Sequence, residues 1–219
     1  MASKQAQRIG IWIIVIIFAV SSIAVFFVLI LSTQNQKTDQ QRLTVACATY
    51  EKQLADQVTE LSNVHYGTLS KAASKVSSFD ADSVKKLAHE DLVMGTGDKI
   101  TDSSSYSAYY IGWTPDGNIF EDSIEGDSLT APIAVAPGSL IEGWSQGVIG
   151  MKLGGVRLLT IPSDLAYGEE GRPGSIGSNE PLKFIVLAIP SPTAITIPDA
   201  LKPYEEYIKY GGISAVCQQ

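Results

Sequence analysis

Apolar positions change their spacing three times along this chain, and each change predicts a different element. From Ile11 to Leu31 the run is apolar or small except for Ser21 and Ser22, and no charge interrupts it. At helical rise it spans about 31 Å, enough for one bilayer crossing, and predicts a transmembrane helix over 10–32. Beyond it, Leu43, Cys47, Tyr50 and Leu54, resumed by Leu61 and Val64 around a polar Gln57, recur at heptad-like spacing. That spacing predicts a helical stalk over 33–66, whose apolar seam either pairs weakly with a second copy or lies on its own domain or on lipid. Residues 67–82, rich in serine and small alanines, read as a flexible linker. Alternating runs follow at 84–93, 106–113, 156–162 and 182–189, and predict antiparallel strands. After Pro192 and Pro198, Asp199 to Tyr210 reads as a short helix stopped by Gly211 and Gly212, in a tail of residues 191–219. The tail either packs or presents Tyr204, Tyr207 and Tyr210 to a partner.

The beginning of the chain has a competing reading as a cleaved signal peptide, because Lys4 and Arg8 form a basic lead. Against it, the apolar run exceeds the usual ~7 to 15 residues and ends without a small-x-small cleavage site. An uncleaved signal anchor is therefore expected. Lys37 and Arg42 nearly balance the basic lead, but residues 1–9 carry no acid and have a free amino terminus. These favour a short cytoplasmic tail at 1–9, a single-pass membrane protein and a C-terminal domain outside the cytoplasm.

With 219 residues, the chain can hold one ordinary domain plus appendages. A net charge of −7 argues against nucleic-acid binding. His65, His89, Cys47 and Cys217 are too few and too scattered for a zinc site, so neither metal nor cofactor is expected. The two cysteines stand in stalk and tail. Pairing within the chain, a bond between two stalks and two free thiols all stay open.

The chemistry concentrates in Leu140 to Ile189, which combines aromatics, glycines and a proline turn and shows no proton relay or phosphate motif. Apolar walls with one phenol suit a site that holds an apolar group out of water. A proline ring and its amide meet that description. Four segments carry a closer likeness: Tyr109-Tyr110-Ile111-Gly112 with Asp116 to Phe120; Leu140 to Trp144 with Gly147, Val148 and Met151; Leu158 to Pro162 with Leu165 to Gly168; and Gly171 to Ile176 with Pro181 to Phe184. In this order they resemble the FKBP-type peptidyl-prolyl cis-trans isomerases, the macrolide-binding immunophilins, over roughly Val84 to Ile189.

The resemblance implies an α+β fold over 83–190, with an antiparallel sheet wrapped around one short helix. It also implies a site. Tyr110, Phe120, Ile141, Trp144 and Phe184 would wall it, with Trp144 as the floor under the proline ring. Tyr167 would donate from its hydroxyl, and Ile141 from its backbone N–H. Leu140, Ile176, Ile133 and Arg172 would line the substrate, with Pro173 and Gly174 shaping the flap that places Ile176. Three positions depart from the family pattern. Glu121 follows Phe120 where aspartate is usual, so either Glu121 or Asp122 supplies the carboxylate. Ala131 to Val135 lacks a wall phenylalanine, which leaves Ile133 as a lower wall. Arg172 stands where a histidine is frequent. The resemblance thus implies proline-containing polypeptide clients and a reduced grip on macrolides. The leading expectation is a membrane-tethered isomerase assisting the folding of exported or envelope proteins. The alternative is a non-catalytic peptide-binding or scaffold module of the same fold. A serine hydrolase lacks a histidine base.

Overall fold

The computed structural model describes the backbone of residues 4–217 and the side chains from residue 24 onward, apart from 210, 211 and 214. The predicted transmembrane helix falls largely on side chains outside the described ones. Among the described residues no helix is long and apolar enough to cross a membrane. The chain forms two compact units, one of residues 54–194 and one that joins 1–53 to 195–219. A single helix, α1 (Lys4–Ala73), contributes to both.

In the larger unit, β1 (Ala88–Val93), β7 (Val156–Ile161), β8 (Leu182–Ile189), β2 (Tyr106–Trp113) and β3 (Ile119–Asp122) lie in that order in an antiparallel sheet. A sixth strand, β6 (Ile133–Val135), pairs with the start of β2, Ile133 opposite Ala108. A small hairpin of β4 (Ile124–Glu125) and β5 (Ser128–Leu129) stands apart, and α2 (Glu142–Gly147) leads into β7. The strands expected at 106–113, 156–162 and 182–189 are present, the second ending one residue earlier, at Ile161.

Strand alternation sends side chains to two faces, and both are buried. Tyr106, Ala108, Leu159, Ile161, Leu182, Phe184 and Val186 face α2. Tyr109, Ile111, Trp113, Val156, Ile185, Leu187 and Ile189 face the other way, into a second cluster with Leu69 and Ala72 of α1. Burial on both faces accounts for the near-continuous apolar composition of β2 and β8.

Two readings require correction here. Residues 67–73, expected in a flexible linker, continue α1. The following strap is docked: Val76 and Phe79 pack on the second cluster, the Trp113 indole N–H donates to the Ser77 carbonyl at 3.0 Å, and the Phe79 N–H donates to the Pro115 carbonyl at 2.8 Å. Lys183 Nζ lies 4.6 Å from the centre of the Phe79 ring. Composition alone suggested mobility, but burying Leu69, Val76 and Phe79 outweighs the entropy cost of ordering the strap. The stalk seam also differs. Val64 is 65% exposed, while Leu61 leans on the sheet cluster.

The smaller unit is held by a disulfide between Cys47 and Cys217, 170 residues apart in sequence. Ala46, Cys47 and Tyr50 are buried, as are Leu201, Ile213 and Val216 from the tail. The seam predicted to pair two copies is therefore filled at these positions, and the dimer reading loses its surface there. The tail holds a 3-10 segment at Asp199–Tyr204, then α3 (Glu205–Gly211) and α4 (Ser214–Cys217). Tyr207 stays 70% exposed.

Arg157 secures the position of α2. Its buried guanidinium grips the Asp91 carboxylate through Nε and Nη2 at 2.6 and 3.0 Å. Its Nη1 donates to the carbonyls of Gly147 and Ile149, at the C-terminal end of α2, at 2.9 and 3.1 Å. These bonds hold the Asp91 carboxyl below the usual carboxylate range, partly offset by burial. The stabilisation is present above the ordinary aspartate pKa of about 3.9 and is lost as pH falls through the lowered value. Asp91→Ala leaves the guanidinium buried and is expected to cost about 3 kcal/mol, the low end for such a break because two carbonyl partners remain. Urea unfolding at neutral pH measures this, and a loss under about 1 kcal/mol would contradict it.

Candidate functional site

Four aromatic rings from three strands and the short helix meet on the α2 side of the sheet. Tyr110 points inward from β2, and its ring lies 5.5 Å from Trp144 of α2, edge-on, and 6.4 Å from Phe184 of β8. Phe184 in turn meets Trp144 at 5.4 Å and Phe120 of β3 at 5.6 Å, both close to T-shaped. Edge-to-face packing of this kind adds about 0.5–1.5 kcal/mol per pair beyond area burial and fixes ring orientation. Gly112 makes the cluster attainable: a Cβ there would sit 2.7 Å from both Phe120 and Phe184. At Gly143 a Cβ would overlap Ile161, so the missing side chain lets α2 lie close on β7 and brings Trp144 down to the sheet.

Around this cluster, Leu140, Ile141, Ile133 and Tyr167 are partly buried against it and Ile176 is buried in it. Ile141 caps α2: its carbonyl accepts from the N–H groups of Trp144 and Ser145, both at 3.1 Å. Its own N–H donates to no described atom. The Tyr167 hydroxyl likewise has no hydrogen-bond partner among the described residues, and it lies close enough to Tyr110 and Arg172 to influence both electrostatically. The flap is closed by reciprocal bonds between Arg172 and Ile176, each 2.9 Å, across Pro173, Gly174 and Ser175. Gly174 turns there at φ +85°, a left-handed conformation that favours glycine.

Of the two carboxylates left open by the sequence, Glu121 is the one paired with the flap residue Arg172. Its Oε2 accepts from Arg172 Nη1 at 3.0 Å. Burial pushes the Tyr110 hydroxyl's pKa up, and the Glu121 carboxylate beside it pushes it further. Asp122 instead accepts from the Ile124 N–H at 2.8 Å and shapes the turn into β4. Tyr106, which the sequence reading passed over, is part of the support. It is buried, and its hydroxyl accepts from the Trp144 indole N–H at 3.0 Å. The signal for it was strand period, because Tyr106 lies on the same face as Tyr110.

An apolar bowl with a tryptophan floor, two unengaged donors and one rim ion pair has no nucleophile aimed into it. It can hold and desolvate a carbonyl-bearing apolar ring. Residues 97–188 match the family model described as FKBP-type peptidyl-prolyl cis-trans isomerase. An FK506-binding protein of Neisseria meningitidis serogroup B is 39% identical over 101 residues, which cover 46% of this chain and 91% of that protein. FK506-binding protein 4 of Dictyostelium discoideum is 42% identical over 100 residues, covering 46% of this chain and 27% of the relative. Its counterpart from Rhizopus delemar is 38% identical over 100 residues, covering 46% and 26%. The chain thus spans about a quarter of the length of these last two relatives.

Proposed function

Because the chain belongs to the FKBP-type peptidyl-prolyl cis-trans isomerase family, we propose that its larger unit accelerates cis–trans isomerisation of X-Pro bonds in polypeptide clients. The observation that carries this reading is the contiguous set of Tyr110, Phe120, Trp144 and Phe184 beside two unengaged donors.

Rotation about an X-Pro bond faces a barrier of ~18–20 kcal/mol, and a millionfold acceleration requires about 8 kcal/mol of transition-state stabilisation. At the twisted midpoint the amide loses resonance and its carbonyl becomes less polar. A dry apolar bowl therefore disfavours the planar ground state more than the twisted form. Trp144 supports the proline ring, with Tyr110, Phe120 and Phe184 around it. The Tyr167 hydroxyl and the Ile141 N–H hold substrate carbonyls through the rotation. No covalent bond forms. Glu121 is tied to Arg172 and so links β3 to the flap at the rim of the bowl.

A proline-isomerisation assay on the full chain tests this. Tyr167→Phe is expected to lower kcat/KM about tenfold or less, because one neutral hydrogen bond contributes ~0.5–1.5 kcal/mol net. Wild-type protein that does not exceed the uncatalysed rate would leave only the non-catalytic binding module.

The same reading places the unit outside the cytoplasm, tethered by the N-terminal helix. Its supports are the uncharged, largely apolar run of 11–31, the exposure of Val25 to Leu31, and a disulfide of the kind that persists in oxidising compartments. Release of the chain from membranes by alkaline carbonate would overturn the tether.

A further inference from the structure

On the far side of the catalytic floor is a second recess of about 200 Å³, lined by Ile100, Tyr106, Val135, Pro137, Trp144 and Val148. Of these residues only Trp144 also belongs to the proline site. Trp144 thus meets Tyr110 and Phe184 on one side and borders this recess on another. Thr101, Asp102, Ser104 and Gln146 form its polar rim.

Size, lining and hydrogen-bonding capacity together define what fits. An apolar cavity of about 150 Å³ holds one benzene ring, so this recess takes a single ring with a small substituent. Its apolar walls exclude ions, since an unpaired charge there would be severely desolvated, and Asp102 at the mouth repels anions in particular. Deep in the recess the Tyr106 hydroxyl accepts from the Trp144 indole at 3.0 Å, and none of the described groups accepts its own proton. A hydroxyl that already accepts is a better donor, because bonds in a chain polarise one another. A ligand acceptor placed there completes the chain from ligand to Tyr106 to Trp144.

We propose that this recess is a second ligand site, for a neutral single-ring molecule carrying one carbonyl-type acceptor, and that its occupancy is felt at the catalytic floor through the Tyr106–Trp144 bond. The site is separate from the proline bowl and does not depend on turnover there.

The probe is acetophenone, titrated into the full chain while the Trp144 indole N–H is followed by NMR, with that resonance assigned from Trp144→Phe. A ligand of nine heavy atoms is expected to bind at about 1 mM. The expected result is a saturable shift that persists when a proline-containing tetrapeptide saturates the catalytic bowl. Ethylbenzene, which lacks the acceptor, should bind up to about tenfold more weakly. Gln146→Trp and Pro137→Trp, both at exposed mouth positions, should each abolish the shift by filling the recess. The proposal is overturned by the absence of a saturable shift, by its loss when the peptide is added, by equal binding of ethylbenzene, or by its survival in both filled variants.

Discussion

A fragment of residues 82–190, which contains every strand and the whole proline bowl, is expected to be insoluble or largely unfolded, whereas 54–194 should fold cooperatively. The difference lies on the outer face of the sheet. Tyr109, Ile111, Trp113, Val156, Ile185, Leu187 and Ile189 are buried there together with Leu69 and Ala72, with Leu61, Tyr66, Val76 and Phe79 packed at the edges. Leu69 is fully buried, and burying one such side chain contributes about 1.5–3 kcal/mol. Losing Leu69, Val76 and Phe79 together would remove roughly 5 kcal/mol or more, comparable with the whole stability of an ordinary domain. Two specific bonds go as well: Trp113 loses the Ser77 carbonyl, and the Leu129 N–H loses the Ser62 hydroxyl that it donates to at 2.8 Å. The exposed sheet face would form a contiguous apolar patch of the kind that aggregates. Thermal melts of the two fragments by circular dichroism decide the matter. If 82–190 is soluble and melts within a few degrees of 54–194, the helix and strap are accessories rather than part of the core.

Trp144→Ala is expected to lower kcat/KM by about 30- to 100-fold, corresponding to about 2–3 kcal/mol of transition-state stabilisation. The indole is in contact with Tyr110 and Phe184 and is tied to Tyr106, so its removal opens the floor to water and loosens two walls. The same change leaves a cavity worth about 3–5 kcal/mol and orphans a buried tyrosine hydroxyl as a recipient of that bond. Activity must therefore be compared well below each variant's melting temperature. Trp144→Phe keeps an apolar floor without the indole N–H and should stay within about tenfold of wild type, which separates the loss of the surface from the loss of the bond. An alanine variant no worse than Tyr167→Phe would mean that the floor does not discriminate between planar and twisted amide.

Much of the sheet was legible because its strands are long and their apolar residues dense, and β2 and β8 begin and end at their predicted residues. The aromatic bowl was legible through resemblance, since no local rule says that Tyr110 and Phe184 meet across paired strands. The continuation of the helix past residue 66 and the docking of the strap were missed for a physical reason. Residues 67–82 have the composition of a tether, and only contact with a distant sheet makes Leu69, Val76 and Phe79 core residues. Gly67 did not stop the helix, where it stands exposed with no atom near its missing Cβ. A clue was present in β2, where Tyr109, Ile111 and Trp113 alternate with Ala108 and Tyr110: a strand apolar on both faces needs a second cover. Asp122 and Glu121 differ in their partners, the Ile124 N–H for one and Arg172 for the other, and strand alternation reveals neither bond.

The bond between Cys47 and Cys217 closes a covalent ring of chain that includes every strand of the sheet. During synthesis Cys47 has to wait for the 170 residues up to Cys217, so the ring can close only after all strands of the sheet have left the ribosome. Once it has closed, a protease that cuts one bond anywhere between the two cysteines releases nothing. The two pieces remain one molecule, and after a cut inside the loop the larger unit separates from the residues before Cys47 only when a second cut or reduction of the disulfide follows.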